Sequence, residues 1–357
     1  MKLSVDCRML DASGIGVYIR GIIPYLLQSP HTLLLLGDIK KLLPLVQDYK
    51  NAEVLDCGIK PFSIKELLFF PGTIKQKINR TDLFYSPYFN IPGGIKVPVY
   101  TTIHDIIFPD MPELTSRIAL AARMWFYRRA FCRSRKIFTV SEFSRSRIRF
   151  YSKNKVPVVV TYSAIQPFFL EPLAPQTGAH KKEYILFIGN IKKHKGLQDL
   201  LAAFADAAAL GLPHKLIIAG SKDNFRSADR TSLALFAGFD PSRLEFTGAV
   251  SNEKLKILLS GAALLVQPSL YEGFCLPPLE AMVCGTKALV SDIPVLKEIY
   301  GAYPVAFFEA GNRRDLKEKL VHLLYDKEPE IIHLSQENKN RYTFAKTTAI
   351  ILKELLC

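Results

Sequence analysis

PSLYEGFCLPPLEAMVCG, residues 268–285, carries an apolar strand into a loop and the loop into a helix. The strand is ALLVQP, which ends at Pro268, and Gly273 lets another group approach the backbone closely. Pro278 sits at or near a first helical position, where its missing N–H costs nothing. This predicts an exposed helix N-terminus whose free amides attract phosphate. Glu272 in the loop and Glu280 in the first helical turn bracket those amides at a spacing of eight. Carboxylates repel phosphates but are good acceptors for the sugar hydroxyls that flank a diphosphate. From these residues alone a plain helix start, with Glu280 favoured by the helix dipole, reads equally well.

Outward from this stretch, short apolar or β-branched runs alternate with helical patterns, which argues for parallel sheets wrapped by helices. In the first half the strands are expected at Lys2–Cys7, Thr32–Leu36, Asp82–Tyr85, Val97–Ile103, Lys136–Val140 and Val156–Thr161. Helices are expected at Ile15–Leu27, Ser116–Cys132 and Glu142–Phe150. The pattern breaks in IQPFFLEPLAPQTGAHKK and restarts with YILFIG, then a helix at Leu197–Ala209, KLIIAG, RLEFTG, a helix at Asn252–Leu259, ALLVQP, ALVSD and VAFF. The expected organisation is therefore an N-terminal Rossmann-like domain over 1–165, a linker over 166–182 and a second Rossmann-like domain over 183–340. A final helix within 341–357 could pack on either domain, with a return onto the N-terminal domain the first expectation. Two such sheets facing each other would place their loops around a central cleft.

Composition agrees with this plan. A chain of 357 residues, 49% hydrophobic and 22% charged, forms cores and has room for two domains of roughly 150 to 180 residues. Cysteines 7, 57, 132, 275, 284 and 357 form no C-x-x-C pair, so neither a zinc knuckle nor a disulfide framework is indicated. MKLSVDCRML runs straight into a short strand, so no secretion leader is expected and the cytoplasm is the expected location.

A net charge of +14 asks for an anionic partner. Between Thr115 and Lys153 there are eleven Lys and Arg against one acid, Glu142, interleaved with Trp125, Phe126, Tyr127, Phe131, Phe143, Phe150 and Tyr151. A basic segment with aromatics suits an anionic membrane surface at the cytoplasmic face, while the alternative is an ordinary aromatic core under a solvated basic face. No nucleic-acid motif accompanies the charge, so nucleic acid is not expected.

Glu-x7-Glu within YEGFCLPPLEAM resembles the nucleotide-sugar motif of the family 4 retaining glycosyltransferases, whose two-Rossmann fold is called GT-B. Gly273, Phe274, Leu276, Pro277, Pro278 and Glu280 fall in register, and Cys275 stands where that family most often has glycine. GIGVYIRGIIPYLL, with Gly14 and Gly16, resembles the family's Gly-rich first turn. TTIHD places His104 where relatives contact the donor sugar, and FTVSEFSRSRI, with Ser141 as a helix cap, matches the end of the first domain. FIGNIKKHKG, with Asn190, resembles the basic loop that grips donor phosphates; Lys195 takes the lysine position, and Lys192 substitutes for a missing arginine. SDIPVLKEIYGAYPVAFFEAGN completes a resemblance running from about residue 2 to residue 320.

The resemblance implies a retaining, metal-independent hexosyltransferase using a nucleotide-sugar donor, GDP-mannose first and a UDP-sugar second, with no further cofactor. A saccharide or lipid-linked saccharide would accept the sugar in bacterial surface polysaccharide (lipopolysaccharide) synthesis. His104, Glu272 and Lys195 would be catalytic. Gly14, Gly16, Asn190, Lys192, Gly273, Phe274, Cys275, Leu276 and Glu280 would hold the donor. No Asp-x-Asp triplet occurs, so a divalent metal is not expected. The alternatives are a nucleotide-sugar epimerase or hydrolase of the same fold and a non-enzymatic nucleotide-sugar binder.

Overall fold

The computed structural model describes residues 1–171, 183–220, 239–240, 242–325 and 331–356. They divide into two units, Met1–Gln166 with Tyr342–Cys357, and Pro167–Arg341.

The first unit is built on a parallel sheet of seven strands: β1 (Lys2–Asp6), β2 (Thr32–Gly37), β3 (Ala52–Asp56), β4 (Leu83–Ser86), β5 (Val99–Ile103), β6 (Ser134–Thr139) and β7 (Val158–Val160). Their order is β3-β2-β1-β4-β5-β6-β7. The central strands read as continuous apolar runs because helices cover both faces. Helix α1 (Ser13–Leu27) buries Tyr18, Ile19, Ile22, Ile23, Leu26 and Leu27, the spacing of one helical stripe. Ser116 caps α2 (Arg117–Arg133), accepting from the Ala119 amide at 3.3 Å, and Ser141 caps α3 (Glu142–Ser152), accepting from Ser144 at 3.1 Å.

The second unit has six parallel strands: β8 (Tyr184–Ile188), β9 (Lys215–Ala219), β10 (Leu244–Gly248), β11 (Leu264–Gln267), β12 (Ala288–Ser291) and β13 (Ala306–Phe308). Their order, β10-β9-β8-β11-β12-β13, repeats that of the first sheet. Helix α4 (Leu197–Ala209) packs its stripe of Leu197, Leu200, Leu201, Phe204 and Ala207 into the core beside β8 and β9. Helix α5 (Pro277–Val283) follows β11. Both sheets are Rossmann-like, the α/β class expected from the sequence. In each, strand addition reverses beside the first strand, between β1 and β4 and between β8 and β11, and ligands bind at the carboxyl ends of strands flanking such a reversal.

One boundary differs from the sequence reading. Pro167–Leu170, placed there in the linker, is a short helix of the second unit, fastened by the Lys256 ammonium, which donates 2.6 Å bonds to the carbonyls of Phe168 and Glu171. The rest of the expected linker, 172–182, lies outside the described residues. The C-terminal helix, Phe344–Leu356, belongs to the first unit and packs on α1.

Candidate functional site

The loops after β8 and β11 meet because those two strands are neighbours, although Lys195 and Glu272 are 77 residues apart in sequence. The chain leaves β8 through Gly189, Asn190 and Lys192, then makes one tight turn at Lys193–Lys195. Gly196 ends that turn with a left-handed φ of +66°. A side chain at Gly196 would place its Cβ 1.8 Å from the Pro268 carbonyl, and the Leu270 amide donates to the His194 carbonyl at 2.8 Å. The turn is thus pressed against the end of β11, as only glycine permits.

This seating aims Lys195 at Glu272. The ammonium donates to Glu272 Oε1 at 2.6 Å, and the Ser269 hydroxyl donates to the same oxygen at 2.7 Å. Burial alone would raise the Glu272 pKa, but Lys195 and Ser269 outweigh it and hold the carboxylate below its ordinary range. His194 is kept neutral, its pKa pushed down to about 4 by burial and then by Lys195.

Glu280 is shifted the other way. It lies in the first turn of α5, is buried, and makes no hydrogen bond through its carboxyl group among the described residues. Burial pushes its pKa up to about 7. Such a group is poised to bond a pair of hydroxyls.

One expectation is overturned here. The start of α5 offers no free helix amides: Pro277 and Pro278 have none, and the Leu279 and Glu280 amides both donate to the Leu276 carbonyl. The open donors are in the loop before it, where the amides of Gly273, Cys275 and Leu276 donate to no protein acceptor among the described residues. Cys275 is left-handed, φ +72°, and Leu276 right-handed, a pairing that turns successive amides toward one point and makes an anion-binding nest. Tyr300 fixes the loop by donating to the Cys275 carbonyl. Burial raises the Cys275 thiol well above its ordinary pKa, so it is no nucleophile.

Phe274 is buried in the same loop, and Asn190 and Lys192 are half-buried after β8. Gly196, Ser269 and His194 escaped the sequence reading. A glycine directly before an apolar helical stripe was the available signal for Gly196.

The other expected residues lie in the first unit. His104 follows β5, with Nε2 2.9 Å from the carbonyl of Pro87, which follows β4. A carbonyl only accepts, so Nε2 carries the proton and Nδ1 is the acceptor left over. Burial, opposed by that bond, keeps the ring neutral, its pKa lowered to about 4. Gly14 lies in the first turn of α1 with open space where a side chain would be. Gly16 differs: its amide is spent on the Ala12 carbonyl inside the helix, and a Cβ there would lie 2.2 Å from the Leu10 carbonyl. Its smallness serves packing.

Residues 172–341, which contain the whole β8–β11 site, match the family described as Glycosyl transferases group 1. The chain carries a glycosyl transferases group 1 domain. O-antigen chain mannosyltransferase B of Escherichia coli is 28% identical over 230 residues, 61% of this chain and 59% of that protein. O-antigen chain mannosyltransferase RfbU of Salmonella typhimurium is 29% identical over 206 residues, 56% of this chain and 53% of that protein. The chain thus spans between half and two thirds of the length of these two relatives. The glycosyl transferases group 1 domain and the unit before it share their fold with HepE of Anabaena, solved in complex with UDP and glucose. That likeness has a TM-score of 0.72 at 17% identity and covers 100% of this chain and 99% of HepE. The apo lipopolysaccharide outer core galactosyltransferase WaaB is also similar, with a TM-score of 0.60 at 16% identity over 99% of this chain and 100% of WaaB.

Proposed function

We propose that the protein transfers a hexose, mannose first, from a nucleoside diphosphate donor to a saccharide or lipid-linked saccharide in bacterial surface polysaccharide synthesis, keeping the anomeric configuration. The observation that carries this is the Lys195–Glu272 pair beside the Cys275–Leu276 nest, cation and free amides next to one fixed carboxylate at the sheet's reversal point. The similarity to O-antigen chain mannosyltransferases supports mannose. The UDP bound to HepE keeps a UDP-linked donor as second reading.

In this reading the diphosphate lies on the nest amides and Lys195, with Lys192 adding charge. Glu272 accepts from sugar hydroxyls and Glu280 from the ribose hydroxyls. His104 Nδ1 accepts from a hydroxyl of the transferred sugar. As the bond from C1 to the phosphate oxygen breaks, negative charge grows on the diphosphate, where fixed amides and an ammonium stabilise it without a metal. The acceptor oxygen bonds C1 from the same face, and its proton passes to the departing phosphate oxygen. No covalent glycosyl-enzyme is needed. Residues 115–153 are proposed to face an anionic membrane; among the described residues no helix is long and apolar enough to cross one.

His104→Ala and Glu272→Ala are each expected to lower turnover at least about tenfold, about 1.4 kcal/mol of transition-state stabilisation. Parent-like turnover in both would refute the assigned roles. A donor at about 100 times its Kd should add about 2.7 kcal/mol of stability, so thermal shifts with GDP-, UDP- and dTDP-sugars rank the donors.

A further inference from the structure

The helix Ile64–Leu68 is built inside out. Its only buried residue is Glu66, while Ile64 is 73% exposed, Leu68 68% and the following Phe69 71%. A surface helix normally turns its apolar side chains inward and leaves its charge in water. Here the inward carboxylate is held on every side. It receives Arg8 Nη2 at 2.5 Å, Asn90 Nδ2 at 2.7 and 2.8 Å on its two oxygens, and the Phe62 amide at 2.9 Å. Arg8 in turn is bound twice by Asp6, at 2.8 and 2.5 Å, and all three charged side chains are almost wholly buried. Phe62, just before the helix, is held left-handed at φ 61°. The apolar side chains are thus fixed outward.

This helix adjoins α2. The Phe62 and Phe126 rings meet at 5.2 Å, and the Gly93 amide donates to the Glu66 carbonyl at 3.2 Å. Arg129 and Arg133 reach back to the carbonyls of Pro92 and Ile95, at 3.2 and 2.7 Å. The outer face of α2 carries Arg117, Ile118 at 85% exposure, Trp125 at 49%, Arg128 and Arg133, and the helix contains no acid. Lys65 is exposed on the short helix. The two helices therefore present apolar groups among positive charges, with their one carboxylate turned inward.

We propose that Ile64, Leu68 and Phe69 form an apolar foot that enters an anionic lipid bilayer, with Trp125 and the α2 arginines at headgroup level. This deepens the membrane reading of residues 115–153 by moving the apolar contact to a helix outside that segment. A lipid surface supplies both an apolar phase and negative charge. A second copy would bring the patch of Arg117, Arg128, Arg133 and Lys65 against the same basic patch, since a twofold interface pairs each patch with itself. Nucleic acid offers three exposed apolar side chains no apolar phase.

The test uses the full chain and vesicles of phosphatidylglycerol with phosphatidylcholine. Trp125 is the chain's only tryptophan, so its emission should shift to the blue on binding. Ile64→Ser, Leu68→Ser and Phe69→Ser together are expected to weaken vesicle binding at least tenfold, with the donor-induced thermal shift kept. These side chains are exposed, so their loss leaves the core intact. Parent-like binding by this triple variant, or an unshifted Trp125 spectrum with vesicles, would overturn the proposal; so would a vesicle-free dimer that the serines dissolve. Arg117→Gln, Arg128→Gln and Arg133→Gln separate the two readings. If they leave binding unchanged while the serines abolish it, the basic segment loses its role and the foot stands.

Discussion

Glu272 and Glu280 stand eight residues apart, 8% and 7% exposed, and their pKa values shift in opposite directions. The difference comes from one ammonium and one hydroxyl, which Glu272 has and Glu280 lacks. Because the folded-state pKa of Glu280 is raised from 4.5 to about 7, stability from this group is fully present below pH 4.5 and is lost as pH rises through 7. The cost at pH 8 is about 3 kcal/mol. Glu280→Gln is therefore expected to raise Tm at pH 8 and to leave it nearly unchanged at pH 4.5, measured by thermal unfolding across that range. An equal shift at every pH would show that Glu280 is not buried as an acid. The two glutamates were legible from their spacing around a helix start, and Lys195 from the resemblance of its loop to the family's basic loop. Ser269 was not, because its hydroxyl reaches Glu272 three residues on only through the bend of the loop after β11, which no residue pattern states.

At the scale of elements, β8, β9, β11 and β12 were legible because buried parallel strands read as unbroken apolar runs. Strand β3 escaped because its sequence, AEVLD, alternates charged and apolar residues at a sheet edge. The inside-out helix escaped because five residues with an inward acid carry no helical stripe. Among the aromatics of the basic segment, Tyr127 and Phe131 are core while Trp125 and Phe150 are exposed, which periodicity could not separate. Another feature invisible in the sequence is the notch at Gly21 in α1: a Cβ there would lie 2.3 Å from the Phe344 ring of the C-terminal helix. Alanine favours helices over glycine by about 1 kcal/mol, yet Gly21→Ala is expected to destabilise the protein by about 1–3 kcal/mol through overpacking. Adding Phe344→Leu should recover part of that loss in denaturant titrations. Simple additivity of the two changes would remove the notch from the account.

Across the whole molecule, two sheets of the same strand order follow from one rule of alternation read twice, which is why the fold class was legible from end to end. The partner of the C-terminal helix was not legible from its stripe alone, which would fit either unit. It buries Phe344, Thr347, Thr348, Ile351 and Leu355, and Glu354 pairs with Lys136 of β6 at 2.5 Å. A chain ending at Arg341 is expected to lose about 5 kcal/mol from the first unit, given about 1.5–3 kcal/mol for each large apolar side chain buried. Its unfolding transition should fall accordingly, and a peptide of residues 342–357 added in excess should restore part of it. An unchanged transition would count against the helix as part of that unit.

The same return of the chain fixes the order of events on the ribosome. Residues 1–166 emerge with the groove beside Gly21 open, and its occupant is translated only after the entire second unit. The first unit is therefore the one begun earliest and finished last, so nascent chains stalled anywhere before residue 344 carry an uncovered strip of α1 for chaperones to shield.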